Sequence, residues 1–213
     1  MTRFLTAAAL SLSLSAAPAL AEQTPAQIAS LSAELFIAGV EADDPLLLIA
    51  AAKLRKGLDL KQTERVPDKD MAAPDEDLGD ASPIGWEDIL KAAVAMAPED
   101  DIITGLAEDI RSERSKGVKS GQLYSITTIR DGGTDTYPPM VYRGNEYADV
   151  YIEGKNGANL DLYVYDAQKR LVCSDTDISA IAHCGWTPAQ EAAFTVVVRN
   201  RGRGATGYSL ITN

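Results

Sequence analysis

The sequence predicts an α+β protein: an N-terminal helical region of about four helices, followed by a C-terminal antiparallel β-sandwich. Three observations carry that expectation. Between residues 26 and 110 apolar side chains recur at helical spacing between capping signals. From residue 122 onward the pattern shifts to short strands separated by turn signals. Within that half, residues 159–166 alternate strictly, with Leu160, Leu162 and Val164 on one side and Asp161, Tyr163 and Tyr165 on the other. This stretch is expected at the centre of the sandwich.

Residues 1–21 read as a secretory signal peptide. Arg3 supplies the positive start, residues 5–14 an apolar run mixed with serines, and Ala19-Leu20-Ala21 a cleavage site before Glu22. The run is too short to span a bilayer. No cysteine stands at the cleavage site, so no anchor is expected after cleavage, and the mature chain is expected in a periplasm or outside the cell. The net charge of −11 is uneven: residues 22–119 carry 21 acidic and 11 basic side chains, residues 120–213 carry 10 and 8. Such a surface repels phosphate backbones, which argues against a nucleic-acid partner.

The helical region is expected over residues 22–118. Thr24 can cap a first helix with Pro25 at its first position and Ile28, Leu31, Leu35 and Phe36 along it. Asp44, Pro45 and Gly57 punctuate a second, apolar nearly all round, so partners are needed on more than one side. Lys53, Arg55 and Lys56 in its last turn suit the helix dipole. Residues 61–82 are acidic, contain Pro67 and Pro74, and read as a loop or linker without EF-hand spacing. A third helix opens at Trp86 and stops at Pro98; a fourth follows Glu99-Asp100-Asp101 and ends near Arg111, Arg114, Lys116 and Lys119. Residues 115–121 read as a hinge into the sandwich, which takes residues 119–213.

Strands are expected at 123–130, 147–153, 159–166, 169–173, 194–199 and 208–212, with Asp131-Gly132-Gly133 a turn and Pro138-Pro139 an interruption. The run 159–166, the hydrophobic Phe194-Thr195-Val196-Val197-Val198 and the closing Gly207-Tyr208-Ser209-Leu210 together resemble the bacterial pre-peptidase C-terminal domain, over roughly residues 140–213. The resemblance implies a jelly-roll-like sandwich of the kind appended to secreted enzymes, with an accessory role in secretion, folding or substrate attachment. No catalytic residue carries over with it.

Cys173 and Cys184 are the only cysteines, and in an exported chain they are expected to pair and pin residues 174–183 as a loop. His183, the sole histidine, reads as a loop residue, and one histidine beside two bridged cysteines does not make a zinc site. No metal or cofactor is expected. Tyr163 and Tyr165 lie opposite the apolar face of their strand; Tyr147 and Tyr151 lie opposite Ala148, Val150 and Ile152 on theirs. If those two strands pair, the four tyrosines share one surface suited to gripping a glycan or a peptide. The expected function is an exported, noncatalytic binding protein with a protein or glycan partner. The alternative is an extracytoplasmic hydrolase, or an accessory subunit of a secreted peptidase, using carboxylates such as Asp161 and Asp166. Those two have opposite strand parity and do not converge on one pocket.

Overall fold

A computed structural model describes residues 23–72, 74, 77–113, 123–155 and 157–213. The residues expected to form a signal peptide and a hinge, with Arg114, Lys116 and Lys119, lie outside them. Four helices, α1 (Pro25–Ala42), α2 (Pro45–Lys56), α3 (Trp86–Met96) and α4 (Asp101–Ser112), occupy the N-terminal half of the described chain. Their punctuation follows the sequence. Thr24 caps α1, with the Gln27 side chain closing a reciprocal capping box; Asp44 caps α2 and Asp100 caps α4.

The sandwich strands are β3 (Leu123–Ile129), β4 (Thr134–Thr136), β5 (Met140–Tyr142), β6 (Ala148–Gly154), β7 (Leu160–Asp166), β8 (Leu171–Asp175), β9 (Ile181–Trp186), β10 (Ala192–Asn200) and β11 (Thr206–Thr212). Two further two-residue strands, β1 (Lys61–Gln62) and β2 (Asp68–Lys69), precede α3. One sheet has the order β1-β3-β11-β6-β9; the other runs β2-β4-β10-β7-β8, with β5 beside β10. The inner faces meet in a core where Val150, Ile152, Leu160, Leu162, Val196 and Leu210 are fully buried. Tyr142, Trp186 and Phe194 close one part of it, with ring centroids 4.9 Å apart for Tyr142–Trp186 and 5.2 Å for Trp186–Phe194.

Three expectations need correction. The alternating run is β7, but it sits next to the edge strand β8; the centre of its sheet belongs to β10, whose β-branched run pairs with β7 along Phe194–Asn200. Residues 181–186 form β9, so that residues 181–183, expected within a loop, are strand instead, because Ala182, Cys184 and Trp186 alternate inward onto the core. Within the segment 61–82, expected as a loop or linker inside the helical part, residues 61–62 and 68–69 pair with the sandwich instead: β1 runs parallel to β3 and β2 antiparallel to β4, so the segment supplies an edge strand to each sheet. Lys69 anchors it, donating to Thr128 O at 2.6 Å and to both Asp135 carboxylate oxygens at 3.0 and 2.9 Å. Behind Asp135, the Tyr137 hydroxyl donates to Tyr208 and the Tyr208 hydroxyl to Asp135.

The helices form a third layer on the outer face of the five-stranded sheet. The buried stripe of α1 is small, not large: Ala26, Ala29 and Ala33 pack on Tyr151 and Ile211, while Ile28, Leu31, Leu35 and Phe36 are only half-buried. Small residues let the helix approach the sheet closely. Gly39 does the same between α1 and α2, where a Cβ would collide with Leu48. Leu48, Ile49, Ile89, Leu90 and Ile103 form the core between α2, α3 and α4. The basic end of α2 does more than meet its own dipole. Lys56 donates to the last carbonyls of α4, at Ile110 and Arg111, and lies 4.6 Å from the Trp86 ring centroid. Arg55 is buried and pairs with Glu153 of β6 at 3.0 Å. Glu153 also accepts from Tyr151 Oη at 2.9 Å and Ile84 N at 2.6 Å, and Arg55 donates to Ala29 O and Ser32 Oγ.

Cys173 of β8 and Cys184 of β9 form the expected disulfide, with Cα atoms 5.8 Å apart. It joins the two sheets at the edge opposite β1 and β2. Replacing both cysteines by serine is expected to lower stability by about 3 kcal/mol, read as a shift of the urea midpoint. An unshifted midpoint would mean that the strand pairs alone hold that edge.

The Asp135 network makes a signed pH prediction. Burial holds its carboxyl above the ordinary range, against the pull of the Lys69 ammonium. A carboxyl raised in the folded chain contributes stability in full below its unfolded pKa, and that contribution is lost as pH rises through the folded value. The stability of wild type relative to Asp135→Asn should therefore rise on acidification from about pH 7 to about pH 4. A difference that falls over the same range would show the ion pair outweighing burial.

Candidate functional site

The four tyrosines do not share a surface, because β6 and β7 belong to different sheets. Tyr151 is fully buried on the outer face of the five-stranded sheet, beneath the alanine stripe of α1, with its hydroxyl on Glu153. Tyr147, just before β6, stays 41% exposed and lies across Gly185 of β9, where a Cβ would collide with its hydroxyl; Gln27 Nε2 donates to that hydroxyl at 3.2 Å. Tyr163 and Tyr165 stand together on the outer face of the six-stranded sheet, both partly exposed.

This second face is the open one. The Tyr163 and Tyr165 rings stack, centroids 6.4 Å apart and 19° between planes. Their spacing follows from strand geometry, since residues two apart point to the same side. The β10 register sets Thr195 opposite Tyr165, Val197 opposite Tyr163 and Arg199 opposite Asp161. The Arg199 guanidinium lies 5.2 Å from the Tyr163 ring centroid. Tyr163 Oη and Arg201 Nε both donate to Asp161 Oδ2, at 2.8 and 3.0 Å. The tyrosine pair is thus held in place by its neighbours, with two cations beside it and the exposed apolar Leu171 and Val172 on the adjoining edge strand β8. Flat rings with guanidinium donors alongside can stack on a sugar face or clasp a peptide side chain.

Asp161 and Asp166 are both engaged, and apart. Asp166 accepts from the backbone N–H groups of Gln168 and Arg170 and from Arg170 Nε at 2.7 Å, closing the β7–β8 turn. Those bonds, the Arg170 backbone first, hold its carboxyl below the usual range.

Where α1 crosses the five-stranded sheet it leaves two hollows. At its N-terminal end is a polar cleft of about 560 Å³ lined by Thr24, Gln27, Glu34, Tyr147 and His183. His183, a strand residue of β9 rather than a loop residue, places Nε2 3.5 Å from Asp149 Oδ2, and Thr24 Oγ1 donates to the same oxygen. Asp149 therefore lies between the two, which is not the order that would let histidine activate a hydroxyl. Further along α1 is a mainly apolar groove of about 450 Å³. Sequence reasoning missed both hollows, since each is walled by residues more than a hundred positions apart. Among the described residues, no cluster of three or more His, Cys, Asp or Glu could hold a metal ion.

No family model and no curated protein matches the chain. Solved structures give partial likenesses. A mitogen derived from Yersinia pseudotuberculosis aligns at TM-score 0.32 and 13% identity, over 44% of this chain and 85% of that one. A periplasmic inhibitor of g-type lysozyme from Aeromonas hydrophila aligns at 0.30 and 16%, over 47% and 90%. The C-terminal CBM6 of a marine laminarinase from Zobellia galactanivorans aligns at 0.28 and 8%, over 40% and 76%. Likenesses this slight say nothing of what this chain binds.

The contrast between the two faces is measurable as stability. Tyr151→Ala should cost about 3–5 kcal/mol, as aromatic truncation in a core does, whereas Tyr163→Ala should cost about 1 kcal/mol. Equal losses would mean that the face carrying Tyr163 is also covered.

Proposed function

We propose that this chain is an exported, noncatalytic binding protein that contacts a protein or glycan through the outer face of its six-stranded sheet. The observation that carries the reading is the stacked Tyr163–Tyr165 pair, fixed by Asp161 and flanked by Arg199 and Arg201 on an open sheet face. A rigid, partly exposed aromatic pair loses little conformational entropy on binding, which is what a contact surface needs. The location rests on the leader pattern and on the Cys173–Cys184 bridge, which persists in oxidising compartments. The resemblance of residues 140–213 to the pre-peptidase C-terminal domain favours an accessory role in attachment. Tyr147 and Tyr151 are left out of this surface, the first as part of the cleft at α1 and the second as core.

Capture from an extracytoplasmic extract and binding to a glycan array test the reading, using the full mature chain. Tyr163→Ala, Tyr165→Ala and Arg199→Ala should keep the fold and weaken capture at least about tenfold, as loss of interface anchors does. Capture indifferent to all three variants would refute the surface. Turnover of a peptide, glycan or ester substrate by the wild-type chain would replace the reading with the hydrolase alternative.

A further inference from the structure

The apolar groove along α1 lies on the opposite side of the sandwich from Tyr163. Ala33, Phe36 and Ile37 of α1 form one wall; Ile178 and Ile181 form the other; residues 153–155 and 158–159 form the floor. At about 450 Å³ it has the size of a small-molecule site, and its lining has the usual character of one, apolar with a few polar groups.

Among the described residues, one cation of the lining has no hydrogen-bonding partner. The Glu153 carboxylate is already engaged by Arg55, by the Tyr151 hydroxyl and by Ile84 N–H. Lys155 Nζ stands 4.0 Å from Glu153 Oε1, beyond hydrogen-bond reach. Lys155 thus faces two carboxylates, Glu153 and the exposed Asp80, which holds Ser82 N–H with Oδ1, without a hydrogen bond to either. Lys155 is only 25% exposed and belongs to the lining. Ile178 is 92% exposed at the groove's edge, on the connection between the disulfide-linked strands β8 and β9. An apolar side chain so placed gains burial when the groove fills.

From the cation and the apolar walls, we infer that this groove binds a small amphipathic carboxylate, an unbranched apolar chain lying along Phe36, Ile37 and Ile181 with its head group at Lys155. A free small molecule fits better than a partner protein's side chain, because the recognising cation is set inside the groove.

Titration calorimetry of the full mature chain with decanoate, octanoate and decanol tests this. Decanoate should bind saturably at one site, octanoate about tenfold more weakly for two fewer buried methylenes, and decanol more weakly than decanoate. Lys155→Met should weaken decanoate about fivefold, as removal of a half-shielded charge does, and leave decanol unchanged; Lys155→Gln serves if the first variant loses its fold. Ile178→Ser, at an exposed position, should weaken all three. Tyr163→Ala should change none, so this inference and the sheet-face reading fail separately. Absence of saturable decanoate binding, equal affinity for decanol, or indifference to both Lys155→Met and Ile178→Ser would overturn it.

Discussion

The buried ion pair between Arg55 and Glu153 is the constraint around which the helical layer is arranged. Both side chains are almost without solvent contact, 4% and 6% exposed. Two charges removed from water destabilise the fold unless nearly all their hydrogen-bonding capacity is met. Glu153 therefore requires Tyr151 and the backbone at Ile84, and Arg55 requires Ala29 and Ser32, so one charge pair ties β6 to α1, to α2 and to the segment leading into α3. An apolar interface would tolerate sliding. This one fixes where α1 crosses the sheet, and with it the two hollows on either side of the crossing.

The sandwich is closed at its two edges by different chemistry. At one, a disulfide joins β8 to β9 across the layers. At the other, residues 61–69 cross from sheet to sheet and are held by Lys69 on the buried Asp135. The second device also pairs part of the outer backbone of β3 and β4, whose open groups would otherwise invite pairing with other chains. Neither blocks the outer face carrying Tyr163 and Tyr165.

The helices also divide the protein's surface by role. The face that α1 covers became interior: β6 and β11 are buried on both sides, and Tyr151, Asp149 and Glu153 became internal contacts. The other outer face kept the alternation of a half-solvated sheet, and there an aromatic pair remains partly exposed beside two arginines. Tyr151 and Tyr163, each opposite the apolar face of its strand, thus met opposite fates, decided by which sheet the helices chose.

The sequence by itself determined the elements. Thr24, Asp44, Pro45 and Asp100 mark helix starts because caps and fixed φ act locally, and the alternation around Leu162 marks a strand because burial on one side imposes a period of two. The cysteine pair was legible from composition. Only the tertiary structure decided the sheet to which each strand belongs, since β6 and β7 are neighbours in sequence but in different layers. It also gave strand character to residues 61–62 and 68–69, too short to show any period, and to residues 181–186, whose inward side chains are as modest as Ala182 and Cys184. Arg55 read as a last-turn residue suited to its helix dipole, and Glu153 as the final residue of an alternating strand. Their partnership spans 98 residues, a separation over which no local pattern carries information. The groove has the same origin: Phe36, Lys155 and Ile178 acquire a common purpose only when the ion pair sets the helix in place.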